Sequence, residues 1–469
     1  MDLTTKHIPL QDDLPSLIEK LRSPAGNDSR FATRELIAAN RGAFLTICHA
    51  AWKDLHHKSI REIMEMEGLL APERRKVMPA AMIFYFERCI EIWRRLNDAL
   101  VWVLLGFQDH IIRTVCHRKV RPQLASANPQ AMLRLLQQLN ADPMTIAVWT
   151  DATTCVDVGD IYCKAPPGRP NGFMEVKEGV MSDKIFELIK VKGAPEYIAG
   201  EIDTFVEENG PKALKQLERF LRQRVRYNEV MDIVENERGF DSRREAEVVI
   251  GESHVALQTY DSQIQEAIDA STSEPVLRCA DGCLWIYVDR EPAKRTSQKI
   301  EEFREAVKAA APEALPWIEE QFEGKLSFEA IPLEANIEIP EAIPLFLREL
   351  RTETIRDILL GGLMNSVFLF LDWRELTKIV ETEGAELTWS SFKEGRRQQA
   401  KPAEQRFLTI GSRVPRISVK DGNYIDGFSK LYRIYFDGIT PRSIVAQYVE
   451  SLHEPPRTSH SDEIQAESS

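Results

Sequence analysis

Apolar residues recur at three- and four-residue spacing over Arg34–Ala51, Pro79–Leu105 and Pro129–Asn140, with Pro or Asn near several of the ends. That period predicts helices through the first 140 residues. From Met144 the period changes. Met144–Trp149, Val156–Cys163 and Gly172–Lys177 are short, rich in β-branched or aromatic residues and separated by turns with Thr, Gly or Pro. They predict a three-stranded antiparallel meander. A helix over Pro211–Asn236 follows, then a strand at Glu247–Gly251, a helix at Asp261–Ala270 and a hairpin ending in Leu284–Val288. Helix, three strands, helix, strand reads as one mixed α/β unit.

Beyond Arg290 the pattern is helical at Ser297–Ala311, Pro344–Leu360 and Asp372–Thr382. Strands are then expected in Val414–Phe428 and Lys430–Phe436, and a helix over Pro441–Leu452. The last stretch, 453–469, is polar and acidic and is expected to be a disordered tail. The division expected is therefore a helical region over 1–89, an α/β core over 90–290, an α+β region over 291–452 and the tail.

Composition narrows the class. Hydrophobic residues at 43% and charged residues at 28% are the balance of a soluble globular chain. The longest largely apolar run, Ile358–Leu371, falls short of the ~20 residues that span a bilayer. The N-terminus carries no basic-then-apolar signal pattern, so a cytoplasmic location with no membrane partner is expected. Seven cysteines, odd in number and mostly in apolar segments, read as reduced thiols. Cys279 and Cys283 flank Ala280-Asp281-Gly282, a hairpin turn, and have no second pair beside them to complete a zinc site. A net charge of -13 excludes bulk electrostatic coating of nucleic acid, though not a local basic surface.

The chemistry concentrates in VDVGDIYCKAPPGRPNGFMEVKEG, residues 156–179. Alternate side chains of a strand share a face, so Glu175 and Lys177 are expected together, with Met174 and Val176 inward. Asp160 opens the apolar run of the preceding strand, and pairing of the two strands brings it opposite the Glu175 region. Two carboxylates there suit a hard cation, Mg²⁺, or Mn²⁺ in vitro, with the Val176 carbonyl as a further ligand. Such a cation polarises a phosphate and acidifies a bound water, while Lys177 orients that water or steadies charge on the phosphate. Asp157 is a competing ligand. The plain alternative is that these charges face water.

Gly-Asp-Ile, a loop, then Glu-Val-Lys closing an apolar strand resembles the PD-(D/E)XK nuclease superfamily. The likeness spans about residues 90–290, and the order αβββαβ resembles that superfamily's restriction-endonuclease-like core. The resemblance implies Asp160, Glu175 and Lys177 as the catalytic set, with Gly159 where a Pro often stands. It implies an acidic residue from the preceding helix, among Glu91, Asp98 and Asp109, and a Gln from the following helix, Gln216 before Gln223. It also implies DNA as substrate and a setting in prokaryotic restriction or phage defence.

The helix over Pro211–Asn236 is divided. Lys212, Lys215, Arg219, Arg222 and Arg226 recur on one face, and Leu214, Leu217, Leu221 and Val225 form a separate stripe expected to pack on the sheet. Between Pro211 and Arg226 six basic residues stand against one acidic, Glu218, so a nucleic-acid backbone is expected to dock here. The runs at His117–Arg121, Glu73–Lys76 and Glu394–Lys401 are weaker basic clusters, and His56, His57 and His254 read as ordinary surface or loop residues. The C-terminal region is left for substrate selection, self-association or a partner protein. The alternative readings are a non-catalytic nucleic-acid-binding or scaffold protein on a nuclease-like fold, an RNA-directed nuclease, and an effector held silent until a ligand binds.

Overall fold

The computed structural model describes residues 9–23, 39–116, 122–126, 129–165, 172–176, 184–185, 204–236, 238–242, 246–249, 254–321, 330–400, 412–419, 424–426 and 428–453. It is a mixed α/β protein with small antiparallel sheets. The chain divides into two compact units, Ser16–Ile250 and Gly251–Ser469 with Met1–Pro15. No described helix is long and apolar enough to cross a membrane.

After α1 (Pro9–Arg22), the first unit is built on α2 (Arg41–Leu69) and α3 (Ala80–Leu104). On α2 the buried positions are Leu45, Cys48, Trp52, Leu55, Ile60, Ile63 and Met66, one helical stripe. His49, His56, Ser59 and Glu67 lie in the same stripe and are buried with it. From Ile92 to Trp102 α3 is buried all round, including Arg94, Arg95, Asn97 and Asp98. A helix so enclosed carries polar side chains only where each finds a partner.

After α4 (Asp109–Val115) and α5 (Pro129–Leu139) comes the meander β1 (Ile146–Trp149), β2 (Ile161–Lys164) and β3 (Gly172–Met174). Its pairing is antiparallel in the order β1-β2-β3, with Trp149↔Ile161 and Ile161↔Met174 in register. All four residues of β1 are buried, because α2 and α5 both pack on it. β2 is buried through Cys163.

Helix α6 (Pro211–Asn236) buries Ala213 and Leu217 against Ile185 and Phe205, with Phe220 and Leu221 packed beside them. Val225, expected in the buried stripe, is 52% exposed, because burial shifts to Val230 and Ile233 further along. The strands β4 (Arg238–Asp241) and β5 (Ala246–Val249) form their own two-stranded sheet.

The second unit carries the four-stranded sheet β6-β7-β9-β8, made of β6 (Val276–Ala280), β7 (Leu284–Val288), β8 (Ile331–Pro332) and β9 (Val367–Leu371). Its helices are α7 (Asp261–Ala270), α8 (Thr296–Ala310), α9 (Ala314–Gln321), α10 (Thr352–Leu360), α11 (Trp373–Thr382), α12 (Phe392–Gln399), α13 (Phe428–Phe436) and α14 (Pro441–His453). A small sheet, β10 (Glu386–Trp389), β11 (Pro415–Ser418) and β12 (Tyr424–Asp426), completes it. The β6–β7 hairpin turns on Asp281 and Gly282, both at positive φ, closed by Cys283 N donating to Ala280 O at 3.1 Å.

Three expectations differ from the fold. The division falls at Gly251, not near Arg290, because β6 and β7, with α7 packed on them, share one sheet with the later strands β8 and β9. Residues 1–89 do not stand apart either, since α2 packs on α3 and β1. Lys430–Phe436 is helical, not a strand. Leu431 to Tyr435 are buried without a break, so no alternation marks the segment, and the helical sign is Arg433 pairing with Asp437 one turn on at 2.9 Å.

Candidate functional site

Asp160 stands at the foot of β2, half-buried, where the meander's ladder ends. Its backbone N–H donates to Met174 O at 2.7 Å, and its carboxylate Oδ2 accepts the Val176 N–H at 2.7 Å. The carboxylate is thus held against the short segment that carries Glu175. Gly159 makes the approach possible: its φ is +71°, and a Cβ there would sit 2.9 Å from Met174 O. A proline, with φ fixed near -65°, has no place at this turn, which accounts for the departure from the resembled motif.

Glu175 and Val176 follow β3 and are half-buried. The buried residue of β3 is Phe173, its ring 4.9 Å from that of Tyr162, and Met174 is only half-buried. Met174 and Val176 pointing inward is therefore not what the sheet does. β3 does alternate, but with the opposite phase: Phe173 is the buried position and its neighbours Gly172 and Met174 are half-buried. Lys177 lies outside the described residues, as do the loop over 166–171, His117–Arg121 and the tail from 454.

The turn bearing Asp160 rests on buried groups from the helices. Trp149 N–H donates to His56 Nε2 at 2.8 Å; a backbone amide only donates, so Nε2 is bare and the ring proton sits on Nδ1. That proton faces Asn97 Oδ1 at 2.9 Å, which also accepts Ser59 Oγ at 2.8 Å, while Asn97 Nδ2 donates to Ala152 O at 2.9 Å. His56 is 1% exposed, not a surface residue, and burial drives its pKa down to about 4. Its place in the α2 stripe, four residues from both Trp52 and Ile60, was the signal for this.

Asp98 is fully buried and paired with Arg95 at 2.8 Å. It accepts Thr154 N at 2.6 Å, Cys155 N at 2.9 Å and the Thr154 hydroxyl. Its oxygens clamp the β1–β2 connection. Glu91, half-exposed, lies 3.8 Å from Arg88. The side chain of Asp109 is outside the described residues. Asp157 is half-buried, with its N–H donating to Val115 O at 3.0 Å.

On α6, Lys212, Lys215, Gln216, Arg219 and Arg222 are exposed and Gln223 is half-buried. Arg226 is different. Its guanidinium meets Asp241 at 2.9 Å and Glu229 at 3.3 Å and donates to Thr114 O at 2.7 Å. Those bonds tie α6 to α4 and β4, so Arg226 holds the fold, whereas the four other cations remain open to solvent.

Half-buried carboxylates keep contact with water, and Mg²⁺ takes one or two of them with water and phosphate filling its octahedron. Asp160 and Glu175 fit that demand. Among the described residues no three His, Cys, Asp or Glu side chains group into a metal site, so the cation would draw its remaining ligands from water, the Val176 carbonyl and substrate. The thiols are unsuited to such a role: burial pushes Cys163 up to about 11 and Cys155 well above its ordinary range. None of the seven cysteines is joined in a disulfide. No family model, no curated protein and no solved structure matches this chain.

Proposed function

We propose that this chain is a Mg²⁺-dependent nuclease of the PD-(D/E)XK type that hydrolyses phosphodiester bonds, with DNA as the substrate. The observation that carries the reading is the Asp160 carboxylate held at the Val176 amide, beside Glu175. Asp160 and Glu175 supply the negative charge that retains the cation, and the amide fixes the direction in which the Asp160 oxygens point. When bound, Mg²⁺ supplies Lewis acidity to the phosphate and lowers the pKa of a water. Lys177 follows Val176 directly and steadies charge growing on the phosphate. The solvent-open cations Lys212, Lys215, Arg219 and Arg222 hold the substrate backbone, with Gln216 among them.

The test is incubation of the purified chain with plasmid, single-stranded DNA and RNA, in Mg²⁺ or EDTA, beside Asp160→Ala and Lys177→Ala. Cleavage of DNA that needs Mg²⁺ and is lost in both variants is the expected result. Cleavage that survives EDTA or either substitution rejects the mechanism. Binding without any cleavage assigns the chain to the non-catalytic alternative, and cleavage of RNA alone changes the substrate.

A further inference from the structure

We propose that Thr150 is the positioning residue of the site: from the turn that follows β1 it fixes the Gly159–Asp160 backbone and thereby aims the Asp160 carboxylate. The inference rests on the reading of Asp160 as a cation ligand. Thr150 is 1% exposed and begins the single turn that follows β1. Its hydroxyl donates to Gly159 O at 2.6 Å and its N–H donates to Asp160 O at 3.0 Å. Two consecutive carbonyls are therefore pinned by one residue, in the two peptide groups that flank the Asp160 Cα.

On the opposite side Asp160 N–H is bound to Met174 O and its carboxylate to Val176 N–H. Asp160 is thus clamped between the turn that follows β1 and the end of β3. The hinge that needs the clamp is Gly159. At φ +71° a glycine imposes no preference of its own, so the direction of the Asp160 side chain is set by hydrogen bonds instead. Thr150 is itself anchored. The amide before it, Trp149 N–H, is bound to His56, and Thr150 O accepts the Thr153 hydroxyl at 2.6 Å. A residue locked to the helical layer on one side and bonded to the hinge on the other transmits the order of the core to the carboxylate.

The experiment compares Thr150→Val, which keeps the shape and removes the hydroxyl, with Thr150→Ser, which keeps the hydroxyl. The first readout needs no metal: hydrogen exchange at the Val176 amide, whose acceptor is the Asp160 carboxylate. Thr150→Val is expected to raise it about tenfold, the effect of one net hydrogen bond, and Thr150→Ser to leave it near the wild-type rate. The second readout is Mn²⁺ affinity, expected to fall about 10-fold or more in Thr150→Val and to return in Thr150→Ser. Exchange unchanged in a folded Thr150→Val overturns the proposal. So does serine failing to rescue. If wild type binds no Mn²⁺, the nuclease reading falls while the exchange readout still judges the clamp. Should Thr150→Val not fold, wild type decides: protected Thr150 and Val176 amides support the clamp, and exchange at the solvent rate at either overturns it.

Discussion

Lowering the pH should destabilise the first unit through His56 in a way that can be worked out in advance. The folded ring accepts Trp149 N–H at Nε2, so protonating that nitrogen sets two donors face to face in a buried site. An unfolded chain takes up the proton near 6.5 and the folded one only near 4, so acid favours the unfolded state. His56 stabilisation is complete above pH 6.5 and is lost as pH falls through the window down to about 4. With each tenfold difference in proton affinity contributing about 1.4 kcal/mol, the loss is about 2 kcal/mol at pH 5 and about 3 kcal/mol once pH is below 4. His49 and His57 are also shifted down by burial, so wild type must be compared with a variant that removes only the His56 ring. His56→Gln keeps an acceptor and does not titrate. The assay is urea unfolding of both proteins from pH 8 to 4.5, with peptides of α2 and β1 followed by hydrogen exchange to isolate this unit. Wild type should lose about 2 kcal/mol relative to the variant by pH 5. Parallel curves, or a His56 ring that titrates near 6.5 in the folded protein, would refute the reasoning.

Other outcomes follow from the same geometry. Gly159→Ala should lower stability by about 1–3 kcal/mol in urea unfolding, because positive φ and the Met174 carbonyl both oppose a Cβ. Arg226→Ala should cost about 3–5 kcal/mol, since it strands the buried Asp241 carboxylate. Lys212→Ala or Arg219→Ala should instead leave stability within about 0.5 kcal/mol. If these cations meet phosphates, each removal should also reduce the slope of log affinity for DNA against log salt by about 1. In the native protein Cys155, Cys163 and Cys283 should resist a thiol reagent at pH 8 and react fully after denaturation, because burial holds all three as neutral thiols.

What was legible in the sequence is what depends on neighbours along the chain. The start of α2, the helices α3 and α5, the three strands, the Asp281-Gly282 turn and the juxtaposition of Asp160 with the Glu175 segment follow from period or turn chemistry, whereas α2 runs on to Leu69, well past the Arg34–Ala51 expected. What was not legible depends on partners far away in sequence. His56 reads as polar and exposed until Trp149, 93 positions on, offers its amide. Asp98 looks like a ligand from the helix until the Thr154–Cys155 amides claim it. Arg226 belongs to the basic stripe by spacing, yet Asp241 and Thr114 O decide its role. The division at Gly251 is set by which strands pair, and β6–β7 could join either sheet as far as local pattern goes.

Calorimetric titration of the purified chain with Mn²⁺, wild type beside Asp160→Asn, bears most directly on the assignment of the two carboxylates as a hydrolytic cation's seat. The expectation is one site in the wild type that disappears in the asparagine variant while the thermal unfolding of the two proteins stays alike. Equal Mn²⁺ binding by both, or none by the wild type, would contradict it.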